Sequence, residues 1–190
     1  YAYSNPAMLI NLFETAAKQQ PEKEKLPRFV VISSGALYDS VQVMPLKEDS
    51  RIANGSPYVI SKITNEQYSD YYRKKGFETV VIRPFNHTGR GQQGPFLIPE
   101  LTEQVIAAGE HGTITVGNLD TRRDYSDVRD VVRAYADIAL APTVGSPLFN
   151  ICSGKAYSGK EILRLIEKAV FGGDGHVTVK VDPSRLRPND

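Results

Sequence analysis

The chain has 190 residues, 41% of them hydrophobic and 24% charged, which is the make-up of a folded domain and excludes disordered, collagen-like and low-complexity classes. Its 23 Lys and Arg against 22 Asp and Glu leave a formal charge of +1, so no basic field exists for nucleic acid or an anionic membrane. Cys152 is the only cysteine and cannot close an internal disulfide, and no apolar run approaches the roughly 18 residues of a membrane span. A cytoplasmic, reducing setting without nucleic-acid or membrane partners is the expectation. Both ends read as cut, because the chain enters a helical pattern almost at Tyr1 and stops at Asp190 without a closing element.

Met8, Leu9, Leu12, Phe13, Ala16 and Ala17 recur at helical spacing and predict a first helix over 7–20, ended by Pro21. The run Phe29-Val30-Val31-Ile32 before Ser33-Ser34-Gly35 reads as a strand buried on both faces, with hydroxyls at its C-terminal end. Ser56 as cap and Pro57 in the first turn open a second helix, which Gly76 closes, giving about 57–75. Thr79 to Ile82 is the next buried strand, followed by a Gly/Gln-rich loop and a helix from about Pro99 to Ala108. A short strand over Ile114–Val116, a helix over 127–141 and a strand over Leu148–Cys152 continue the alternation. Ser158 and Glu161 have capping-box spacing for a helix through Val170, and Val177, Val179 and Val181 alternate as a last strand. Such alternation predicts an α/β layer fold with parallel strands and right-handed crossovers. Ligands in these folds bind outside the C-terminal strand ends.

Tyr58 and Lys62 stand i and i+4 near the start of the second helix and share one face. A phenol titrates near pKa ~10, and an adjacent ammonium favours the phenolate, so the pair suits proton transfer to or from a substrate oxygen. Ser34, at a strand's C-terminal end, is the natural third member. Read alone, the Tyr-x-x-x-Lys spacing is equally a solvated helix pair.

Four ordered stretches carry more: Ser33-Ser34-Gly35-Ala36-Leu37-Tyr38, Ser56-Pro57-Tyr58-Val59-Ile60-Ser61-Lys62, Arg83-Pro84-Phe85-Asn86-His87-Thr88-Gly89 and Arg123-Asp124-Tyr125-Ser126-Asp127-Val128. Together they resemble the extended short-chain dehydrogenase/reductases (NAD-dependent epimerases and dehydratases) that act on nucleotide sugars. Gly117-Asn118-Leu119-Asp120 and Asn86-His87-Thr88-Gly89 look most like GDP-mannose 4,6-dehydratases and GDP-6-deoxy-4-keto-hexose reductases. The resemblance implies a Rossmann-like, doubly wound parallel sheet whose N-terminal cofactor-loop half lies outside these residues, with a small C-terminal substrate-binding α/β part. It implies residues 1–85 as the rest of the Rossmann part and 86–190 as mainly the sugar-nucleotide region, with some strands returning to the sheet.

By the same resemblance Tyr58 is the general acid/base, Lys62 holds the nicotinamide ribose and lowers the Tyr58 pKa, and Ser34 orients the reacting oxygen. Asn5 matches the asparagine that supports a proton-relay water, although its Asn-Pro step also suits a plain helix start. Tyr58, Lys62 and Pro84 would contact NAD or NADP. Asn86, Asn118, Arg123 and Arg187 would hold the nucleotide sugar, the arginines by charge-assisted hydrogen bonds. A salt bridge to a neighbouring Asp is the plain alternative for Arg123. A homodimer through helices 7–20 and 57–75 is also implied.

Ala36 stands where the dehydratases carry an extra carboxylate, and alanine moves no proton, so reduction of a 4-keto group is favoured over dehydration. Epimerisation remains the alternative, as does a non-catalytic remnant that binds sugar nucleotides. Gly89-Arg90-Gly91-Gln92-Gln93-Gly94 matches G-x-G-x-x-G, but Pro95 interrupts helix entry and no acidic residue ends a strand about 20 positions on, so it reads as a substrate-side loop. The Gly172-Gly173-Asp174-Gly175 stretch breaks a helix before a strand. His87, His111 and His176 read as scattered surface positions with no metal-ligand spacing. Asp39 replaces a usual glycine, which predicts a different local turn, and Tyr68, Tyr71 and Tyr72 predict an aromatic packing stripe.

Overall fold

The computed structural model describes residues 3–19, 26–39 and 42–186. Its elements run α1 (Ser4–Gln19), β1 (Phe29–Ile32), a 3-10 turn (Gly35–Leu37), α2 (Pro57–Lys74), β2 (Thr79–Pro84), β3 (Asn86–Thr88) and α3 (Leu97–Ala108). Then come β4 (Thr113–Val116), β5 (Arg122–Asp127), α4 (Val128–Leu140), β6 (Leu148–Ile151), β7 (Ala156–Ser158), α5 (Gly159–Phe171), β8 (Thr178–Val181) and a 3-10 turn (Pro183–Arg185). The chain divides into two units. The first takes in the chain up to His87 together with Ser126–Cys152, and the second takes in Thr88–Tyr125 and the chain from Ser153 on.

In the first unit β1, β2 and β6 form a parallel sheet in that order, with Phe29 opposite Thr79 and Val81 opposite Leu148. Every residue of β2 is buried, as a central strand covered on both faces requires. Among the described residues β1 has a strand neighbour on one side only. Phe13 of α1 is fully buried and gathers the core: its ring centroid lies 4.3 Å from Tyr72, 4.7 Å from Phe29 and 5.5 Å from Phe77. The tyrosine stripe of α2 packs as expected, with Tyr72 buried, Tyr68 partly buried against the same cluster and Tyr71 edge-on to Tyr72. Arg28, just before β1, donates from Nη1 to the carbonyls of Ile138 (2.6 Å) and Ala141 (2.7 Å), capping the end of α4, while its other nitrogens hold Glu78. A cation at a helix C-terminus is favoured by the helix dipole.

Tyr72 donates its hydroxyl to Glu14 Oε1 at 2.6 Å. Burial first, then that bond to a carboxylate, push its pKa up to about 12. Its folded value therefore lies above the ordinary phenol value near 10, so the native state holds this proton more tightly than the unfolded chain does. That stabilisation is complete below pH ~10 and is lost as pH rises toward about 12. Urea midpoints measured across this window should fall with pH, and Tyr72→Phe should flatten the fall; an unchanged slope in the variant refutes the assignment.

In the second unit β4 pairs in parallel with β8, and β5 pairs antiparallel with β7 through Arg122 opposite Ser158 and Arg123 opposite Tyr157. Leu101 and Val105 of α3, Ile114 and Val116 of β4, Leu119, and Ile162, Leu163 and Ile166 of α5 make its core. The capping box at α5 is present in both directions, Glu161 N donating to Ser158 Oγ (3.1 Å) and Ser158 N to Glu161 Oε2 (2.6 Å). Gly172 ends α5 in the left-handed region at φ 85°. Three short strands, β3, β5 and β7, have no counterpart in the sequence reading. Strand β8 does exist, yet all its residues are exposed, and only the preceding Val177 reaches the core.

Candidate active site

Helix α2 begins where it does because Ser56 Oγ accepts from Val59 N at 3.2 Å and Pro57 occupies the first turn. Tyr58 and Lys62 thus fall on its first two turns. The Lys62 ammonium donates to the carbonyl of Ile32, the last residue of β1, at 2.8 Å, and lies 5.7 Å from the centroid of the Tyr58 ring. The structure therefore brings the phenol and the ammonium together at the C-terminal end of β1. Burial holds the Lys62 pKa below the ordinary lysine value. Only one of its three N–H donors goes to Ile32.

Asn5 in α1 donates from Nδ2 to Ser61 Oγ at 3.0 Å, and Ser61 Oγ donates to the carbonyl of Tyr58 at 2.7 Å. This asparagine is tied to the same helical turn as the tyrosine. Ser34 caps the 3-10 turn Gly35–Leu37, its Oγ accepting from Ala36 N at 3.1 Å, and that turn packs against α2. Its hydroxyl proton is still available for donation, since the cap uses a lone pair. A cavity of about 440 Å³ opens beside β1, lined by Asn5, Leu9, Val31, Ile32, Lys62 and Asn65. The Asn65 Oδ1 atom is buried and, among the described residues, has no hydrogen-bond partner.

Pro84 ends β2 and Asn86 begins β3 with its side chain exposed; both belong to the first unit. Between them Phe85 stacks on Tyr38 at 6.0 Å and covers Gly35. A Cβ on Gly35 would stand 2.9 Å from Phe85 Cδ2 and 3.0 Å from Cγ, too near for a ring held by stacking. Gly35→Ala should therefore cost about 1–3 kcal/mol by overpacking, read as a lowered denaturant midpoint, and Phe85→Leu in the same chain should recover part of it. No recovery in the double variant would place the strain elsewhere.

Asn118 and Arg123 lie in the second unit. Asn118 Oδ1 accepts from Asp120 N at 2.8 Å, holding its own turn, and Arg123 Nη1 donates to the carbonyl of Arg122 at 3.0 Å. Its neighbour Asp124 is engaged by Ser153, accepting from N and from Oγ at 2.9 Å each. Arg187 lies outside the described residues. In the G-x-G-x-x-G stretch Gly91 and Gly94 have positive φ, and α3 starts only at Leu97, capped by Phe96 rather than by a glycine. The histidines are not all scattered: His111 and His176 rings lie 6.2 Å apart, and His176 Nδ1 is 2.9 Å from Glu110 Oε1. Asp39 pairs with Arg51 at 2.5 Å and donates its N–H to the Arg51 carbonyl.

One group escaped the sequence reading. Glu66, one turn beyond Lys62 on α2, accepts from Ser33 Oγ (2.5 Å) and takes a two-point contact from Arg83, Nε to Oε1 at 2.8 Å and Nη2 to Oε2 at 2.7 Å. Arg83 Nη1 continues to Tyr38 OH (2.9 Å) and the Glu48 carbonyl (3.0 Å), and Tyr38 OH donates to Asn150 Oδ1 (2.7 Å). Burial alone lowers the Arg83 pKa, but the hydrogen bonds to Glu66 and Tyr38 outweigh it and the net shift is upward. The four-residue step from Tyr58 through Lys62 to Glu66 was the available signal.

The model of the NAD dependent epimerase/dehydratase family matches residues 1–152. The chain belongs to this family. It is 31% identical over 197 residues to GDP-6-deoxy-D-mannose reductase of Pseudomonas aeruginosa, covering 98% of this chain and 63% of that protein. To UDP-glucose 4-epimerase of Erwinia amylovora it is 28% identical over 178 residues, covering 83% and 52%. The solved structure of RMD from Pseudomonas aeruginosa complexed with NADPH superposes with a TM-score of 0.77 at 26% identity, covering 97% of this chain and 63% of that one. The fold is thus that of the Rossmann-type members of the epimerase/dehydratase family, and the chain spans between 52% and 63% of the length of these relatives.

Proposed function

We propose that the chain is part of an NAD- or NADP-dependent nucleotide-sugar enzyme that reduces the 4-keto group of a GDP-6-deoxy-hexulose. The observation that carries this reading is the joint placement of Tyr58 and Lys62 at the end of β1, with Asn5 and Ser34 on elements packed against the same helix. The relative named GDP-6-deoxy-D-mannose reductase supports the substrate class, and Ala36 argues against dehydration because no carboxylate stands at that position.

The residues present fit a nicotinamide nucleotide: Lys62 keeps donors beyond the one used on Ile32, and it lines a cavity with Asn5 and Asn65. Tyr58, Lys62 and Pro84 would hold it, and when bound it supplies a hydride to the sugar carbonyl carbon. In this reading the Tyr58 phenol gives its proton to the oxygen that becomes the alcohol. The Ser34 hydroxyl donates a hydrogen bond to the same oxygen and fixes its direction. Lys62 stands beside the Tyr58 ring with N–H donors left for the ribose it is assigned to hold. Asn5, through Ser61, holds the turn that carries Tyr58. Asn86, Asn118, Arg123 and Arg187 are assigned to the nucleotide sugar, and helices α1 and α2, the latter with Ile60 and Tyr71 exposed, to a homodimer contact.

The test is incubation of the full-length protein with GDP-4-keto-6-deoxymannose and NADPH or NADH. Stoichiometric loss of reduced nicotinamide with formation of a 6-deoxy sugar supports reduction. Interconversion of 4-epimers of a nucleotide sugar with no net cofactor consumption replaces it with epimerisation.

A further inference from the structure

We propose that Glu66 is a positioning residue that sets where the Ser34 hydroxyl stands relative to Tyr58, acting through Ser33. This rests on the reading of Ser34 and Tyr58 given above. Lys62 and Glu66 are four residues apart on one face of α2, and their partners are adjacent in the strand end: Lys62 Nζ takes the carbonyl of Ile32, and Glu66 Oε1 takes the hydroxyl of Ser33. Two consecutive residues of β1 and its exit are therefore pinned to two consecutive turns of the helix that carries Tyr58. Ser34 is the next residue, its Oγ held by the bond from Ala36 N, so the pin sets the backbone position from which that hydroxyl projects.

The pin is stiff for a chemical reason. Both oxygens of Glu66 are engaged by the Arg83 fork, which fixes the carboxylate plane, and Arg83 is itself held by Tyr38 and the Glu48 carbonyl. Ser33 is 2% exposed and the Arg83 side chain 6%, so water offers no competing partner. Among the described residues, the Ser33 hydroxyl is the contact that joins this network to the segment just before Ser34, while the Ser33 backbone N–H is held separately by the Ile82 carbonyl at 2.7 Å. Removing the Ser33 hydroxyl leaves the Glu66–Arg83 pair in place and cuts the tether alone, whereas changing Glu66 itself disturbs the buried charge.

The experiment compares full-length wild type, Ser33→Ala and Ser33→Thr, with Tyr58→Phe as the control on the underlying reading. For Ser33→Ala the expected result is a kcat lowered about tenfold with KM for the sugar nucleotide within twofold and the Tm nearly unchanged; Ser33→Thr, which keeps a hydroxyl, should regain most of the kcat. In the same variant, amide exchange at Ala36, Leu37 and Tyr38 should accelerate several-fold while that of Val80 to Ile82 stays as in wild type. A Ser33→Ala kcat within twofold of wild type, or a loss that tracks a fall in Tm and raises KM equally, overturns the positioning role. If Tyr58→Phe keeps full activity, the proton-donor reading fails first; if Tyr58→Phe is inactive and Ser33→Ala is normal, only the positioning role falls.

Discussion

Tyr58→Phe in the full-length protein should lower kcat by about 10²–10⁴-fold, the usual range for loss of a positioned general acid, while leaving the fold intact. The ring stays, and so do two bonds at that turn of the helix: Lys62 Nζ to the Ile32 carbonyl and Ser61 Oγ to the Tyr58 carbonyl. Initial rates of nicotinamide oxidation with the keto sugar nucleotide, set beside thermal unfolding of the same preparation, check this. A variant that retains a tenth or more of the wild-type rate would mean that another group delivers the proton. Lys62→Met should also lower turnover, and because the ammonium is assigned to the ribose as well, its loss should raise the KM for cofactor.

Glu66→Ala should be the most damaging single change to stability. It strands the Arg83 guanidinium, whose side chain is 6% exposed, without its two-point carboxylate partner. Breaking a buried pair from one side costs about 3–5 kcal/mol, which for a chain of this size is a Tm lowered by roughly 10 °C. Pairing it with Arg83→Met removes the orphaned charge, so the double variant should be more stable than Glu66→Ala alone. Denaturant titration of wild type, both single variants and the double variant measures the coupling. Strict additivity would show that the two side chains act independently, and a Glu66→Ala cost below about 1 kcal/mol would show that water reaches Arg83.

Period and punctuation located the helices and main strands well. β1 coincides with the predicted run Phe29–Ile32, α2 begins at the Ser56-Pro57 signal, and the Ser158/Glu161 capping box is present at α5. β5 was not legible because Arg122-Arg123-Asp124-Tyr125-Ser126-Asp127 has no alternating apolar face; its strand form comes from pairing with Ala156–Ser158, more than thirty residues away in the chain. α1 starts earlier than its apolar pattern, at Ser4, since that pattern marks only the buried face. At the site, Tyr58, Lys62 and Ser34 were readable from short spacings. The Ser33–Glu66–Arg83–Tyr38–Asn150 chain was not, because its members come from four stretches of the sequence and only tertiary packing joins them. The His111 and His176 pairing was hidden for the same reason.

Arg28 bears on how this architecture tolerates change. By gripping the final carbonyls of α4 it fastens the returning stretch Ser126–Cys152 to the strand that opens the sheet, and β6 completes the closure beside β2. The intervening residues 88–125 are then a detour whose two ends are already anchored. Lengthening such a detour raises its closure entropy only logarithmically, by about 0.6 kcal/mol per doubling. Insertions in the 89–96 loop, which lies outside α3, β4 and β5, should thus accumulate among descendants of this sequence far more freely than insertions between Ser126 and Cys152.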